Sequence, residues 1–427
     1  MRAAKNRDEF FLRMIDTSSM APLADDELRQ IEEFWAPYSF AYENNPDIQR
    51  VLSRMSGRFD PSYIGFGLQR WSLVRFWNSK FYEHLPLKYN LWRNFPMVSH
   101  PKAYLSRQSG YFISGDDHSL VSLDDAVGIV RRALETEHEL IMKPAGLDAG
   151  EGKRIVFLGP DDRDGIEEAL LGFGDYYVIQ QVLKNHPSFA APYPLSLQTL
   201  RIVTLSYRGT VRLCGAVLRM AVSGRLDNWS QGGLACAVLP DGTLGEYACA
   251  ESGKRVLAHP SGFVFKGHRL HRADECMRKA IEMHRTIPFQ KIIAWDITVT
   301  DDDRIVLVEI NSPGGGAAIQ SAGFDVYGDT DTAKEIFDEY LIRKFYYSRA
   351  CFDGDYREFN DHVSLVKYGG LDRTVVVPEA IGGKPVQMLY ASAFSSCELA
   401  SVVIPESVHC DIAALRRKSP KCEFLRR

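Results

Sequence analysis

The spacing of apolar residues changes character twice along the chain. Up to about residue 96 the hydrophobic positions recur at helical intervals. Ile31, Phe34 and Trp35 follow the acidic turn Asp25-Asp26-Glu27, and Trp71, Val74, Phe76, Trp77, Phe81 and Tyr82 form a second apolar face. This predicts a helical N-terminal region over residues 1–96. Between 97 and 348 short β-branched and aromatic runs dominate, which reads as strands: Tyr111–Ile113 with Pro96–Val98, Leu140–Met142, Arg154–Leu158, Asp175–Leu183, Leu195–Leu205, Val211–Ala221, Leu234–Val238 and Leu244–Cys249. Helices are expected from Ser122, a candidate N-cap with Asp125 three residues on, to about Glu135, over Ala273–Arg285, and over Thr332–Lys344. From about 360 the runs become very short and the motifs Val376-Val377-Pro378 and Val403-Ile404-Pro405 recur.

One hairpin breaks its own pattern. Ile292–Thr298 and Ile305–Ile310 are apolar strands around the turn residues Asp301-Asp302-Asp303, yet Asp296 and Glu309 sit inside them. Asn311, two residues beyond Glu309, points to the same side of an extended strand. Buried carboxylates need a cation or donor, and two carboxylates with an amide oxygen suit Mg²⁺. Taken alone, the same segment is also compatible with an ordinary hairpin that has polar ends.

Other polar residues interrupt apolar runs. Lys143 ends the strand that leads into Gly146, Gly150, Gly152 and Lys153. These glycines permit positive φ and leave backbone N–H groups available to an anion. The segment is not a P-loop, because the lysine precedes the glycines and a strand follows; a plain β-turn is the alternative. Arg201 and Arg219 lie in successive strands, either facing solvent or converging on a phosphate or carboxylate.

Composition narrows the class. The 427 residues exceed one compact domain. A content of 45% hydrophobic and 25% charged residues is that of a globular protein, and the net charge of -4 gives no general case for nucleic-acid binding. The charged N-terminus lacks the apolar core of a secretory signal, and no apolar run is long enough to span a bilayer. The 8 cysteines are scattered without a C-x-x-C pair, which suits reduced thiols and a cytoplasmic location.

The ordered set Lys143-Pro144, Gly146 to Gly152, Val178-Ile179-Gln180-Gln181, Arg201, Arg219, Asp296 and Glu309-Ile310-Asn311 resembles the ATP-grasp superfamily. The runs Gln181…His186-Pro187, Ser196 to Thr204, Asp227-Asn228…Gly232-Gly233 and Trp295-Asp296 resemble its sugar-transfer-associated branch, related to glutamate ligases. The likeness spans about residues 30 to 345. It departs at Gln198-Thr199-Leu200-Arg201, where relatives tend to carry Asn-Thr-x-Arg, at the sparser glycine loop, and at Leu87-Lys88, where an acidic residue and a lysine are common.

The resemblance implies an α+β fold in which two subdomains within 97–348 clamp ATP. Lys143 would meet the phosphates, with Gly146, Gly150, Gly152 and Lys153 closing over them. Gln180, Gln181, Val182 and Leu183 would form the adenine hinge. Asp296, Glu309 and Asn311 would hold Mg²⁺, and Arg201 and Arg219 would stabilise the transferred phosphoryl group or the acceptor carboxylate. The activity implied is ADP-forming ligation of a small carboxylate to an amine through an acyl phosphate, with sugar-linked or envelope-precursor substrates. Phosphotransfer in the same cleft and a turnover-deficient scaffold are the alternatives. Residues 360–427 resemble leucine-rich repeats of the surface-antigen type, with Ala393-Phe394 packing inside, and form a small β-rich module that either packs on the rest or meets a protein partner.

Overall fold

The structure is a computed structural model that describes residues 2–15, 17–18, 20–39, 42–68, 88–145, 155–229, 232–311, 316–338, 354–368, 373–395 and 399–427. It is a mixed helix and strand protein that divides into two compact units, one of residues 1–35 and 44–333, the other of residues 36–43 and 334–427.

In the first unit, helices α1 (Arg2–Met14), α2 (Asp25–Trp35) and α3 (Pro46–Ser56) make up much of the described N-terminal region. α3 shows why the sequence folds locally. The Asn45 side chain accepts from the Asp47 N–H, Pro46 occupies the first turn, and Gly57 closes the helix at φ 70°. Ile48, Val51, Leu52 and Met55 then pack with Phe11, Ile15, Tyr63 and Cys249. The apolar run Trp71–Tyr82 lies outside the described residues.

Two sheets follow. The smaller has six strands in the order β3-β2-β1-β6-β4-β5. They are β1 (Ala103–Gln108), β2 (Tyr111–Ser114), β3 (Leu120–Val121), β4 (Leu140–Pro144), β5 (Val156–Leu158) and β6 (Tyr176–Gln181). Helix α4 (Leu123–Glu137) starts at Ser122, whose hydroxyl accepts the Asp125 N–H at 3.1 Å, so the N-cap expectation holds; such a cap contributes about 1 kcal/mol. With α5 (Ile166–Gly172) it covers one face of the sheet, and Leu140, Met142, Tyr177 and Ile179 point into that core. The first strand of this lobe is Ala103–Gln108 rather than Pro96–Val98. Its alternating Tyr104-Leu105-Ser106-Arg107 backbone can pair on both edges, whereas Pro96 lacks an N–H to donate.

The larger sheet has seven strands in the order β11-β10-β9-β8-β7-β12-β13. They are β7 (Thr199–Tyr207), β8 (Thr210–Met220), β9 (Leu234–Val238), β10 (Leu244–Ala250), β11 (Arg255–Val256), β12 (Ile292–Val299) and β13 (Ile305–Asn311). Helix α6 (Ala273–Arg285), with the predicted bounds, buries Ala273, Cys276, Met277, Ala280 and Met283 in the same core as Leu200, Ile202, Leu218, Trp295 and Ile297. The alternate residues of those strands face away from that core: Arg201, Arg219 and Asp296. Helix α7 (Thr330–Phe337) closes this part of the chain, and residues 339–344 of the expected helix lie outside the described residues.

In the second unit, β14 (Gly354–Glu358) pairs with β15 (Val363–Tyr368), and β15 runs parallel to β18 (Lys384–Leu389). The strands β16 (Thr374–Val376), β19 (Ser401–Ile404) and β20 (Glu423–Arg426) stack in parallel register, with Ala393 and Phe394 fully buried in the shared core. No described helix is long and apolar enough to cross a membrane.

Candidate functional site

The β12–β13 hairpin places the acidic residues. Asp296 lies opposite Glu309 on one side and opposite Arg201 of β7 on the other. The first pairing depends on a β-bulge. Ile297 pairs with Leu307 and Asp296 with Glu309, so Val308 is the extra residue. Strict alternation from Leu307, which faces the α6 core, would turn Val308 toward Asp296 and Glu309 into the core. The bulge reverses this and puts Glu309 and Asn311 on the Asp296 face. Two-residue spacing predicts that Glu309 and Asn311 agree with each other; it does not predict that they agree with Asp296.

Asp296 is 3% exposed and accepts four hydrogen bonds, three of them at Oδ2. Arg201 donates to both its oxygens, through Nε to Oδ1 and through Nη2 to Oδ2 at 2.8 Å. Arg219 Nη1 and Asn311 Nδ2 each donate to Oδ2 at 3.0 Å. Burial alone would raise this carboxyl, but the two guanidiniums outweigh it and hold Asp296 below the usual carboxylate range. Arg219 also donates to Asp227 Oδ1 at 3.3 Å, and Thr199 Oγ donates to the other oxygen of Asp227. Burial pushes Asp227 above the ordinary value against the pull of Arg219. The two strand arginines thus converge on one buried carboxylate rather than facing solvent.

Lys143 supplies the opposing charge. On β4, Leu140 and Met142 face the helices, so Ile141 and Lys143 face the other way. Lys143 is only 8% exposed. Burial, and then the neighbouring Lys88, lower its pKa to about 8 against the pull of Glu309. Lys88 Nζ lies 3.6 Å from Glu309 Oε2. Lys88 follows Leu87, at one of the departures from the family pattern. Its electrostatic partner is Glu309, far downstream, and only the fold reveals it.

Gln180 of β6 pairs with Ile141 and shares the Lys143 face. Its Oε1 is buried and has no hydrogen-bond partner among the described residues. Gln181 is occupied instead, accepting the Lys102 N–H at 2.9 Å. Val182 and Leu183 follow β6, and the next residues are tied to the hairpin: the Asp301 N–H donates to Lys184 O at 3.0 Å, and Asn185 Nδ2 to Thr298 Oγ at 2.7 Å. Gln198, at a departure from the family pattern, braces Tyr193 O and the Ala221 N–H from inside the protein. Gly146, Gly150, Gly152 and Lys153 lie outside the described residues; β4 and β5, which flank them, pair as a hairpin.

For a divalent cation the donor chemistry fits. Among the described residues no three His, Cys, Asp or Glu side chains are grouped for a metal. Here the third donor is an amide: Asn311 uses its nitrogen on Asp296, which leaves its oxygen as the atom that can meet a cation. Among the described residues Asp296 Oδ2 accepts three hydrogen bonds and Oδ1 one, so Oδ1 is the oxygen better placed to meet a cation.

The profile of the sugar-transfer-associated ATP-grasp family matches residues 166–326. Among solved structures, the ATP-grasp ligase PsnB complexed with minimal precursor is 12% identical, covering 62% of this chain and 64% of that one, with a TM-score of 0.35. D-alanyl-alanine synthetase A from Vibrio cholerae O1 biovar eltor is 12% identical over 60% and 64%, with a TM-score of 0.37. D-cycloserine synthetase DcsG is 12% identical over 64% and 73%, with a TM-score of 0.33. The chain spans less than two thirds of the length of the first two. No curated protein matches it significantly.

Proposed function

We propose that this protein is a Mg²⁺- and ATP-dependent, ADP-forming ligase that joins a carboxylate to an amine, with a sugar-linked acceptor suggested by the family of its central domain. The observation that supports this best is the single cluster around Asp296 and Glu309, made of Lys143, Arg201 and Arg219 on sheet faces turned away from their cores and Lys88 from a turn. Such an array neutralises and aligns phosphates without offering a nucleophile, which is what phosphoryl transfer requires.

In this reading Lys143 and Lys88 bind the phosphate chain. The buried Gln180 oxygen accepts a hydrogen from the adenine amino group, and the segment after β6 borders the base. Glu309, Asn311 and Asp296 hold Mg²⁺, which would neutralise charge on the outer phosphates. Arg201 or Arg219 orients the acceptor carboxylate, whose oxygen attacks the γ-phosphorus while the bond to the β-phosphate oxygen breaks and ADP leaves. An amine then attacks the acyl carbon, phosphate departs, and the amine gives up a proton. The buried, water-poor setting of Arg201 and Asp296 protects the acyl phosphate from hydrolysis.

The test is incubation with Mg-ATP and a pool of amino acids, amino sugars and small carboxylic acids, with mass analysis of nucleotide and product. Pool-dependent ADP and an amide product, both lost in Lys143→Ala, are expected. AMP as the nucleotide product would exclude the acyl-phosphate route. A phosphorylated, unligated product would replace ligation by phosphotransfer.

A further inference from the structure

A contact away from the acidic centre joins the two lobes of the first unit. Arg225 lies between β8 and β9, on the larger sheet's side. It donates to Glu139 through two parallel bonds, Nη1 to Oε1 and Nη2 to Oε2, both 2.6 Å. Glu139 immediately precedes β4 of the smaller sheet. The same guanidinium lies 3.5 Å from the ring centroid of Phe157, on the edge strand β5. Phe157 pairs with Ile141, so its ring is on the face that carries Lys143. Most surface ion pairs add little, but a two-pronged arginine–carboxylate pair stacked on an aromatic ring is the stronger kind. Arg225 also holds the Glu139 carboxyl below its ordinary range.

The position of this contact gives it a role. Two residues after Arg225, Asp227 holds Arg219, and Arg219 holds Asp296. One short turn is therefore fastened to the rim of the smaller sheet at one point and to the acidic centre at the other.

We propose that Arg225, with Glu139 and Phe157, is a clasp that holds the two lobes together over the cleft and sets the rate at which nucleotide leaves. The gating role rests on the nucleotide-cleft reading above; the clasp itself rests only on the contacts. None of its three residues belongs to the phosphate, base or metal set, and all lie among the described residues.

The experiment uses the full-length protein, with Mg-ADP and Mg-AMP-PNP as probes. Dissociation rates come from stopped-flow, and backbone exposure of residues 139–141 and 222–229 from amide hydrogen exchange without nucleotide. Arg225→Glu is expected to speed release of both probes about fivefold to tenfold and to raise exchange in both segments. The double variant Arg225→Glu, Glu139→Arg restores the pair with reversed polarity and is expected to recover most of both effects. Arg225→Met, which removes the guanidinium without adding a like charge beside Glu139, is expected to fall between. Unchanged release and exchange in Arg225→Glu, with wild-type protein binding both probes, would overturn the clasp and leave the nucleotide reading intact. No recovery in the double variant would overturn the pairing. Wild-type protein that binds neither probe would overturn the nucleotide reading and the gating role with it, while exchange would still decide whether the clasp joins the lobes.

Discussion

Lys143→Met separates the demands of folding from those of binding. Lys143 is a cation buried in the ligand-free protein, with its pKa lowered from 10.5 to about 8. Below pH 8 it is charged in both folded and unfolded chains, and the folded state bears the full penalty of burying that charge. Between pH 8 and 10.5 the unfolded chain still holds the proton and the folded chain has released it, so stability rises with pH across that window. A shift of this size corresponds to about 3 kcal/mol, and because the side chain is nearly inaccessible no large discount for solvent applies. Methionine keeps the stem and removes the charge. The ligand-free variant should therefore be more stable than wild type at pH 7, by up to about 3 kcal/mol, and the gain should vanish by pH 10.5. Its affinity for Mg-AMP-PNP should fall at least tenfold, since the phosphates lose a partner worth more than 1.4 kcal/mol. Urea unfolding at pH 7 and pH 10 gives the first number and ligand-induced thermal stabilisation the second. A less stable Lys143→Met protein at pH 7 would refute the electrostatic account, and wild-type affinity for the nucleotide would refute the assignment of Lys143 to phosphate.

Three further outcomes can be checked. Burial, and then the neighbouring Asp60, raise Asp325 from 3.8 to about 6, so the stability it contributes is fully present below pH 3.8 and is lost as pH rises through 6; Asp325→Asn should stabilise the protein at pH 7.5 by up to about 3 kcal/mol in urea titrations and do little at pH 4. His284 has the opposite sign. Burial lowers it from 6.5 to about 4, and it sits between Thr204 Oγ and Gln290 O as a neutral ring, so stability falls as pH drops from 6.5 toward 4; an NMR titration in which this ring protonates near pH 6.5 would contradict that. Gln180→Leu should weaken Mg-ADP binding about fivefold while barely changing Mg-GDP, measured by calorimetry, because it removes only an acceptor suited to an amino group; equal losses for both bases would show that Gln180 does not read the base.

The elements that the sequence revealed are those whose signals are local. The Asp301–Asp303 turn announces its hairpin, Ser122 and Asp125 announce a helix start, and the spacing in Ala273–Arg285 specifies a buried face. The convergence of Arg201 and Arg219 was legible as one of two options, since an arginine in an apolar strand must find a carboxylate or leave the core. What stayed hidden depends on pairing between distant segments. Lys88 acquires meaning only beside Glu309, and Arg225 only beside Glu139. Alternation along a strand cannot reveal a bulge either, because the extra residue is defined by the partner strand and Val308 looks like any other valine in an apolar run.

That valine uncouples the facing of Glu309 and Asn311 from the residue count of β13. Replacing Val308 by another β-former keeps every later side chain on its side of the sheet. Removing it would also leave Glu309 and Asn311 at the cleft, because Glu309 would then follow Leu307 directly and ordinary alternation would carry it to the Asp296 face. The bulge residue is therefore a spare one: the polar pair reaches the cleft with it or without it, and what it adds is local twist and a bend in the strand. A relative aligned with a gap at Val308 would still pair residues that face the same way.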